Sequence, residues 1–476
     1  MNKKNIASGF FITGFERIFT QGAQILLSII IARLVSPSDY GILGIIMVLV
    51  HISTVFIDNG LGSALIYKHN LNQNDINTVF TFNVCLSSLF YIIIFFTAPF
   101  ISSFFEIPSL NIYLKVCSII IFIDSLYIVS TAILKVQGKY TKLAIANFSS
   151  TTISGIVGIF FAYIGLGIWA LVIQSITKSC INLLILTTNS VKPKFGFKIS
   201  SFKALFSYSI NIFTASSITK IVEEFTTFFI GKVYNAYDLG IYSRSSQFAM
   251  IPNTGIGSAV NVVIFPTLSG LKNNLEAFSH TFKEFIIKLA IISIPIYFTL
   301  SLIAKPMIMT VLTEKWQETI IYLQILCFGR ILCLISTVTI QALNACGRTD
   351  LSMKQQFYKL GIKTIMLFSC MFFGLFWVVI AEALYNIIQY FITNCYSKKI
   401  LGYGIKQQIY DIYKYIIICI IDYIICYYIM SISNSYIYQL FAGITMFIVI
   451  YLIAICLIGE KHQYIRGESS VNSGTQ

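Results

Sequence analysis

Apolar residues run along this chain in long blocks, and short polar connections separate each block from the next. Each block has 20 or more residues, enough for a helix to cross a hydrocarbon layer of about 30 Å. The pattern predicts fourteen membrane-spanning helices, at 7–34, 40–66, 76–104, 110–135, 141–163, 167–190, 203–231, 237–264, 281–303, 318–345, 354–374, 376–397, 410–430 and 435–458. Since these blocks leave no room for a soluble domain, we expect an all-α integral membrane protein.

A short motif occurs twice in the chain, 199 residues apart. Residues 35–42 read VSPSDYGI and residues 234–241 read YNAYDLGI. A Gly-x-Gly-Ser-Ala run follows each copy, at 60–64 and at 255–259. Chance recurrence of short glycine-containing runs is the alternative, but the matches keep the same order and similar offsets. We therefore expect an internal duplication, which in a chain of many spans is typical of a transporter built from two bundles.

Six spans separate the two copies, so both halves should have the same orientation and be related by an axis along the membrane normal. We expect two pseudo-symmetric six-helix lobes, 1–200 and 201–398, followed by two C-terminal helices and a tail in 399–476. The segment 190–202, with Pro193 and three lysines, reads as the linker between the lobes.

Charge is sparse and unevenly distributed. Hydrophobic residues make up 57% of the chain and charged residues 11%, yet the net charge is +14. Lys and Arg concentrate in alternate connections and at both termini, which by the positive-inside rule places both termini in the cytoplasm. The basic charge is therefore topological, and we expect no nucleic-acid partner. The eleven cysteines lie almost entirely in apolar segments without metal-ligand spacing, so we expect neither a metal nor a cofactor.

The turn Leu-Val-Ser-Pro-Ser-Asp-Tyr-Gly at 34–41 and the run 58–65 (DNGLGSAL) closely resemble the polysaccharide transporter family. These are the Wzx-type flippases of O-antigen and exopolysaccharide repeat units, within the multidrug, oligosaccharidyl-lipid and polysaccharide exporter superfamily. The resemblance covers essentially the whole chain. It implies two V-shaped lobes and alternating access in the bacterial cytoplasmic (inner) membrane. The implied substrate is an undecaprenyl-pyrophosphate-linked oligosaccharide, with membrane lipids and polymerase or chain-length machinery as further partners.

Cations inside spans are candidates for holding a pyrophosphate, because each costs about 2.5–3.5 kcal/mol to place there. Arg244 and Arg330 have no acid within four residues, and a guanidinium offers a planar fork for phosphate oxygens. Lys220 has acids at i+3 and i+4, so a self-contained salt bridge is the alternative for it. Lys363 lies near a span end, where its side chain can extend to the interface. In the resembled fold, spans 1, 2, 7 and 8 line the cavity, which favours Arg17, Lys220 and Arg244, with Arg330 as a further candidate.

Carboxylates inside spans are candidate proton or sodium sites, with ion pairing to a neighbouring helix as the favoured alternative. The candidates are Asp58, Asp124, Glu223 and Glu224. The repeated glycines and a nearby proline suggest a paired hinge, with tight static packing as the alternative. The hinge candidates are Gly60, Gly62, Pro252, Gly255 and Gly257.

Two other functions compete with the flippase. A multidrug/cation antiporter can share the fold, but cationic drugs favour an acidic cavity, whereas this chain carries several mid-span Arg and Lys. A polysaccharide polymerase-type membrane enzyme needs catalytic groups on an external loop, and here the external connections are short. We therefore expect no catalytic residues and no enzyme.

Overall fold

The computed structural model describes residues 3–58, 62, 65, 72–188 and 193–457, and for 3–18 only the backbone. This part of the chain is helical, and no strand occurs in it. The long helices are α1 Lys3–Leu34, α2 Pro37–Ile57, α3 Gln73–Phe104, α4 Leu110–Val136, α5 Tyr140–Tyr163, α6 Ile168–Thr187, α7 Ile199–Val233, α8 Ala236–Gly270, α9 Leu275–Leu302, α10 Thr319–Ala345, α11 Thr349–Cys370, α12 Leu375–Asn394, α13 Ile405–Met430 and α14 Tyr436–Leu457.

Fourteen long helices agree with the fourteen predicted spans. Ten of them, within the described residues, are long and apolar enough to cross a membrane. The other four, α1, α7, α8 and α11, have 32, 35, 35 and 22 residues. Each is long enough for a span, and three of them, α1, α7 and α8, carry the candidate cations Arg17, Lys220 and Arg244.

The helices pack as two lobes. In the first lobe, α5 packs on α1 and α6, while α4 packs on α3 and α6. In the second lobe, α10 packs on α8, α9 and α12, while α11 packs on α7 and α12. Helix α2 lies along α7 and α8 and so joins the lobes, and α13 and α14 pack outside α9. The prediction of two six-helix lobes with two additional helices is confirmed, while the boundaries at 200 and 398 stay a prediction.

The repeated motif begins α2 and α8 with the same local chemistry. Ser36 is the N-cap of α2, and its hydroxyl accepts a hydrogen bond from the Asp39 amide at 3.2 Å. Asn235 is the N-cap of α8, and its side-chain oxygen accepts from the Asp238 amide at 2.8 Å. Each cap satisfies an amide that the helix leaves unpaired, and each aspartate opposes the positive end of the helix dipole. The conserved spacing between cap and aspartate thus sets where both helices start.

Candidate functional site

The two copies of the motif touch each other where α2 and α8 begin. A Cβ built on Gly41 would lie 1.8 Å from the carbonyl oxygen of Ala236. A Cβ built on Gly240 would lie 1.8 Å from the carbonyl oxygen of Pro37. Any side chain at either glycine would therefore collide with the backbone of the other helix. The glycines are required for this close approach, which is the role of small residues between membrane helices.

Residues beside this contact seal it with apolar side chains. Ile45 and Ile46 of α2 are 1% and 0% exposed, and Leu239 and Ile241 of α8 are both fully buried. Leu239 packs toward α2, where a Cβ built on Gly44 would lie 3.6 Å from it. The lobes are therefore closed against each other at the end of the protein where α2 and α8 start.

Hydrogen bonds between the lobes surround the closed end. Trp316, in the connection between α9 and α10, donates its indole N–H to the Ala32 carbonyl at 2.9 Å. Lys315 donates to the carbonyls of Arg33 and Val35. In return, Arg33 donates to the carbonyls of residues 310 and 311 at 2.6 and 2.7 Å. These carbonyls belong to the last turns of α1 and of the short helix Ala304–Val311, which lack partners within their own helices.

Arg244 is part of this closed end. Its side chain is 2% exposed, and its guanidinium carbon lies 4.2 Å from the centre of the Tyr40 ring and 5.5 Å from that of Trp316. One nitrogen donates to the Ser28 carbonyl of α1 at 3.1 Å. Contacts to aromatic faces and a helix carbonyl favour a guanidinium. In this conformation Arg244 bridges the lobes instead of lining an open passage.

Further along the same helices, polar side chains replace the apolar seal. His51 lies about 15 Å from Gly41 along α2, at 1.5 Å per residue. Its Nδ1 lies 2.9 Å from Glu224 Oε1 of α7, and the same oxygen lies 2.9 Å from Lys220 Nζ. A second contact joins the lobes here, because the Gln21 amide donates to the Thr254 hydroxyl at 2.6 Å.

These polar groups are exposed although they lie midway along their helices. The side chain of His51 is 46% exposed and that of Glu223 is 57% exposed. Lys220 also pairs with Glu223 at 3.3 Å, so the salt bridge that its sequence neighbours allowed is present. Charges in contact with hydrocarbon at this depth would be costly. We infer that they face a water-accessible space between the lobes.

Arg330 and Lys363 lie inside the second lobe. Arg330 is 8% exposed and donates to the Ser246 hydroxyl at 3.0 Å. Lys363 is 2% exposed, so it does not extend to the interface as its sequence position suggested. Its ammonium donates to the Val222 carbonyl at 2.6 Å and lies 3.4 Å from Glu382. Lys363 is therefore a structural partner of α7 and α12.

The first lobe holds a polar cluster of its own. Asp124 of α4 accepts a hydrogen bond from the Tyr127 hydroxyl at 2.9 Å and lies within electrostatic reach of Lys178 of α6. Asp58, at the end of α2, is exposed and interacts electrostatically with Asp124 and with Lys135. The structure thus brings two predicted ion-coupling carboxylates together, with lysines beside them. This arrangement is equally compatible with ion pairing to the lysines, which is the alternative role for each carboxylate.

The predicted hinge residues differ between the lobes. The backbone has a π-type turn at Asp58 and Gly62, whereas α8 runs through Pro252, Gly255 and Gly257 as continuous α-helix. A Cβ on Gly62 would lie 3.5 Å from Ile128, in the same lobe. Gly60 and the side chain of Arg17 lie outside the described residues. Hinge motion at these positions stays a prediction.

His51 and Trp316 are the functional residues that sequence reasoning missed. His51 pairs with an acid 173 residues away, and Trp316 reaches a carbonyl 284 residues away. No local spacing could reveal either contact. The signal available was position alone, since Trp316 lies in a connection that the charge pattern predicts to be external and His51 in a span that the resemblance places beside the cavity. In the described part of the chain, no group of three or more metal-ligating side chains occurs.

Comparison with known proteins assigns the chain to a family. A family model described as "Polysaccharide biosynthesis protein" matches residues 30–321. The succinoglycan biosynthesis transport protein ExoT of Rhizobium meliloti (strain 1021) is 22% identical over 66% of this chain and 64% of that protein. The lipopolysaccharide biosynthesis protein WzxC of Escherichia coli (strain K12) is 19% identical over 86% of this chain and 85% of that protein.

A solved structure shares the architecture. The lipid II flippase MurJ, in an inward closed conformation, matches with a TM-score of 0.77 and 15% identity, over 94% of this chain and 98% of that chain. The resemblance noted in the sequence is confirmed by the family match, which covers well over half of the chain. This multi-pass membrane protein belongs to the polysaccharide biosynthesis protein family.

Proposed function

We propose that the protein flips undecaprenyl-pyrophosphate-linked oligosaccharide repeat units across the bacterial cytoplasmic membrane by alternating access. The observation that carries the proposal is the polar face between the lobes, together with the repeated motif that closes the lobes against each other at one end. Its relatives are named for succinoglycan transport and lipopolysaccharide biosynthesis, and its structural neighbour is named a lipid II flippase. A substrate that combines a glycan with a pyrophosphate needs a hydrated path and a cation for its phosphates, and on this face Lys220 is that cation, paired here with Glu223 and Glu224.

The lysine-rich connections would face the cytoplasm, together with both termini. In that orientation the closed end faces outward and the polar space is open to the cytoplasm, where repeat units are assembled. The supporting observation is that few basic residues flank the spans at the closed end, among them Arg33, Lys232, Lys305 and Lys315. In this proposal the chain does no covalent chemistry itself, and polymerase or chain-length machinery would act on the repeat unit after it is flipped.

Lys220 is the first candidate for a pyrophosphate contact. Its side chain is 27% exposed, it lies beside His51, and its two acidic partners can be replaced by phosphate oxygens. Arg17 remains a candidate from its position in α1. Arg244 and Arg330 are buried here, so a pyrophosphate contact by either requires a different arrangement of the lobes. For ion coupling, Asp58 and Asp124 are the paired candidates in the first lobe, and Glu223 and Glu224 flank the proposed pyrophosphate contact.

Deleting the gene tests the proposal. We expect surface polysaccharide to be lost and undecaprenyl-linked oligosaccharide to accumulate in the membrane fraction, with drug sensitivity unchanged. Increased drug sensitivity with intact surface polysaccharide would instead support the antiporter.

A matched pair of variants tests the site. Lys220→Gln should fail to restore the polysaccharide at normal protein levels, because it removes the positive charge between the lobes. Lys288→Gln is the control, since Lys288 makes the same kind of i,i+4 pair, at 2.9 Å to Glu284, on α9 away from α2. Equal export by both variants would remove Lys220 from the proposed site.

A further inference from the structure

Two pairs of positions related by the 199-residue repeat meet across the lobe interface, Gly41 with Gly240 and Gly44 with Ser243. Gly41 lies against Ala236, the first residue of α8. Gly240 lies against Pro37, the first residue of α2. One turn deeper, a Cβ on Gly44 would lie 3.4 Å from the Ser243 hydroxyl, and 44 plus 199 is 243. The duplicated motif is therefore in contact with its own copy, about a local two-fold axis.

The chemistry of this contact allows it to open and close. Backbone lies against backbone at the glycines, so the helices can separate there without withdrawing a side chain from a socket. The surrounding hydrogen bonds go to carbonyls at helix ends, which water can satisfy once the lobes part.

The second repeated run behaves differently at the other end of the same helices. Gly62 packs toward Ile128 of α4, and Gly257 toward Leu334 of α10. For these two glycines the nearest atoms of other helices belong to their own lobes. One repeated pair is therefore closed across the interface, while the other is not.

We propose that the duplicated Asp-x-Gly motif is the gate at the lysine-poor end of the passage, with Gly41 and Gly240 as its contact. Arg33, Lys315 and Trp316 are the latch that holds it shut. Arg244 belongs to this gate, where it stabilises the closed state by stacking on Tyr40 and Trp316. Because transport requires the gate to open, the role of the gate rests on the proposed function. Its geometry rests on the contact between the two copies of the motif.

A disulfide across the gate tests the proposal. Gly44→Cys combined with Ser243→Cys should cross-link under mild oxidation, because a Cβ at position 44 would lie 3.4 Å from the Ser243 Oγ, and so within about 5 Å of the Ser243 Cβ, near the roughly 3.5–4.5 Å that disulfides need. A protease site in the linker between α6 and α7 would show the cross-link as lobes held together on a non-reducing gel. We expect oxidation to abolish export of surface polysaccharide and reductant to restore it. Each single-cysteine variant, oxidised in the same way, should export normally.

Accessibility separates failure of the gate from failure of the transport proposal. A Thr254→Cys reporter, exposed between the lobes, should react with a membrane-impermeant maleimide added from the lysine-poor face. The background is the labelling of the protein that carries only its native cysteines. The cross-link should reduce that labelling at least tenfold, whatever the substrate is. Normal export or unchanged labelling by the fully cross-linked protein would overturn the gate, as would failure of the cysteine pair to cross-link in a protein that exports when reduced. Loss of labelling without any role in polysaccharide export would retain the gate and reject the proposed substrate.

Discussion

Replacing Lys363 by methionine should strongly destabilise the protein, whereas the same replacement at Lys359, one helical turn earlier on α11, should not. Both residues are 2% exposed. Lys363 pairs with Glu382, whose carboxylate also accepts a hydrogen bond from the Thr226 hydroxyl at 2.6 Å. Lys359 forms no ion pair with any residue in the described ranges. The two lysines therefore differ in partners and agree in burial.

The magnitude follows from what each change leaves behind. Lys363→Met leaves the Glu382 carboxyl without its cationic partner in an interior where the side chains of the pair are 3% and 7% exposed. Removing one partner of a buried pair costs about 3–5 kcal/mol. That loss shifts the unfolding equilibrium by roughly a hundredfold to a few thousandfold. Lys359→Met removes a buried charge without stranding another, so it should be neutral or stabilising.

Reversible unfolding of the purified protein in mixed detergent micelles measures the difference. The double variant Lys363→Met with Glu382→Gln should recover most of the lost stability, because it no longer strands a charge. Unfolding of Lys363→Met at the wild-type midpoint would contradict a stabilising role for the Lys363–Glu382 pair. So would an equal loss of unfolding free energy in Lys359→Met and Lys363→Met.

Three further outcomes are expected. Trp316→Phe keeps an aromatic ring but removes the hydrogen bond to Ala32. In that background the pair Gly44→Cys and Ser243→Cys should form its disulfide about two- to twelvefold more slowly, which corresponds to about 0.5–1.5 kcal/mol for one hydrogen bond. An unchanged rate would contradict the latch. His51→Leu removes the contact with Glu224 between the lobes, and labelling of the reporter cysteine from the lysine-poor face should rise by a similar factor; no rise would mean that this contact does not hold the lobes. Asp422→Asn should leave export unchanged, because that carboxyl is buried in α13 outside both lobes; a large loss of export would bring α13 into the transport path.

Local pattern predicted much of the fold. The lengths of the apolar blocks predicted fourteen helices, and the repeat predicted two lobes with a common orientation. The Asp of the motif is now explained by helix capping, which depends on residues three apart and is readable from sequence. The salt bridges of Lys220 were readable for the same reason, since they join residues on one helical face.

Contacts between helices could not be predicted in this way. Lys363 looked able to reach the interface, but the fold turns it toward Glu382 on the next helix. Arg244 looked like a phosphate ligand because no acid lies near it in sequence, yet aromatic rings from α2 and from the α9–α10 connection surround it. The sequence showed that the motif was repeated, but contact between the copies depends on how the lobes dock.

Reconstitution into lipid vesicles shows whether the protein moves its substrate between leaflets and whether the gate controls that movement. The purified protein would be supplied with undecaprenyl-pyrophosphate-linked oligosaccharide from its host, and movement between leaflets would be followed by access of an external glycan-cleaving enzyme. We expect movement that depends on the protein. In the double variant Gly44→Cys and Ser243→Cys, movement should stop on oxidation and resume on reduction. Movement at the same rate with the gate cross-linked, or none with the native protein, would contradict this expectation.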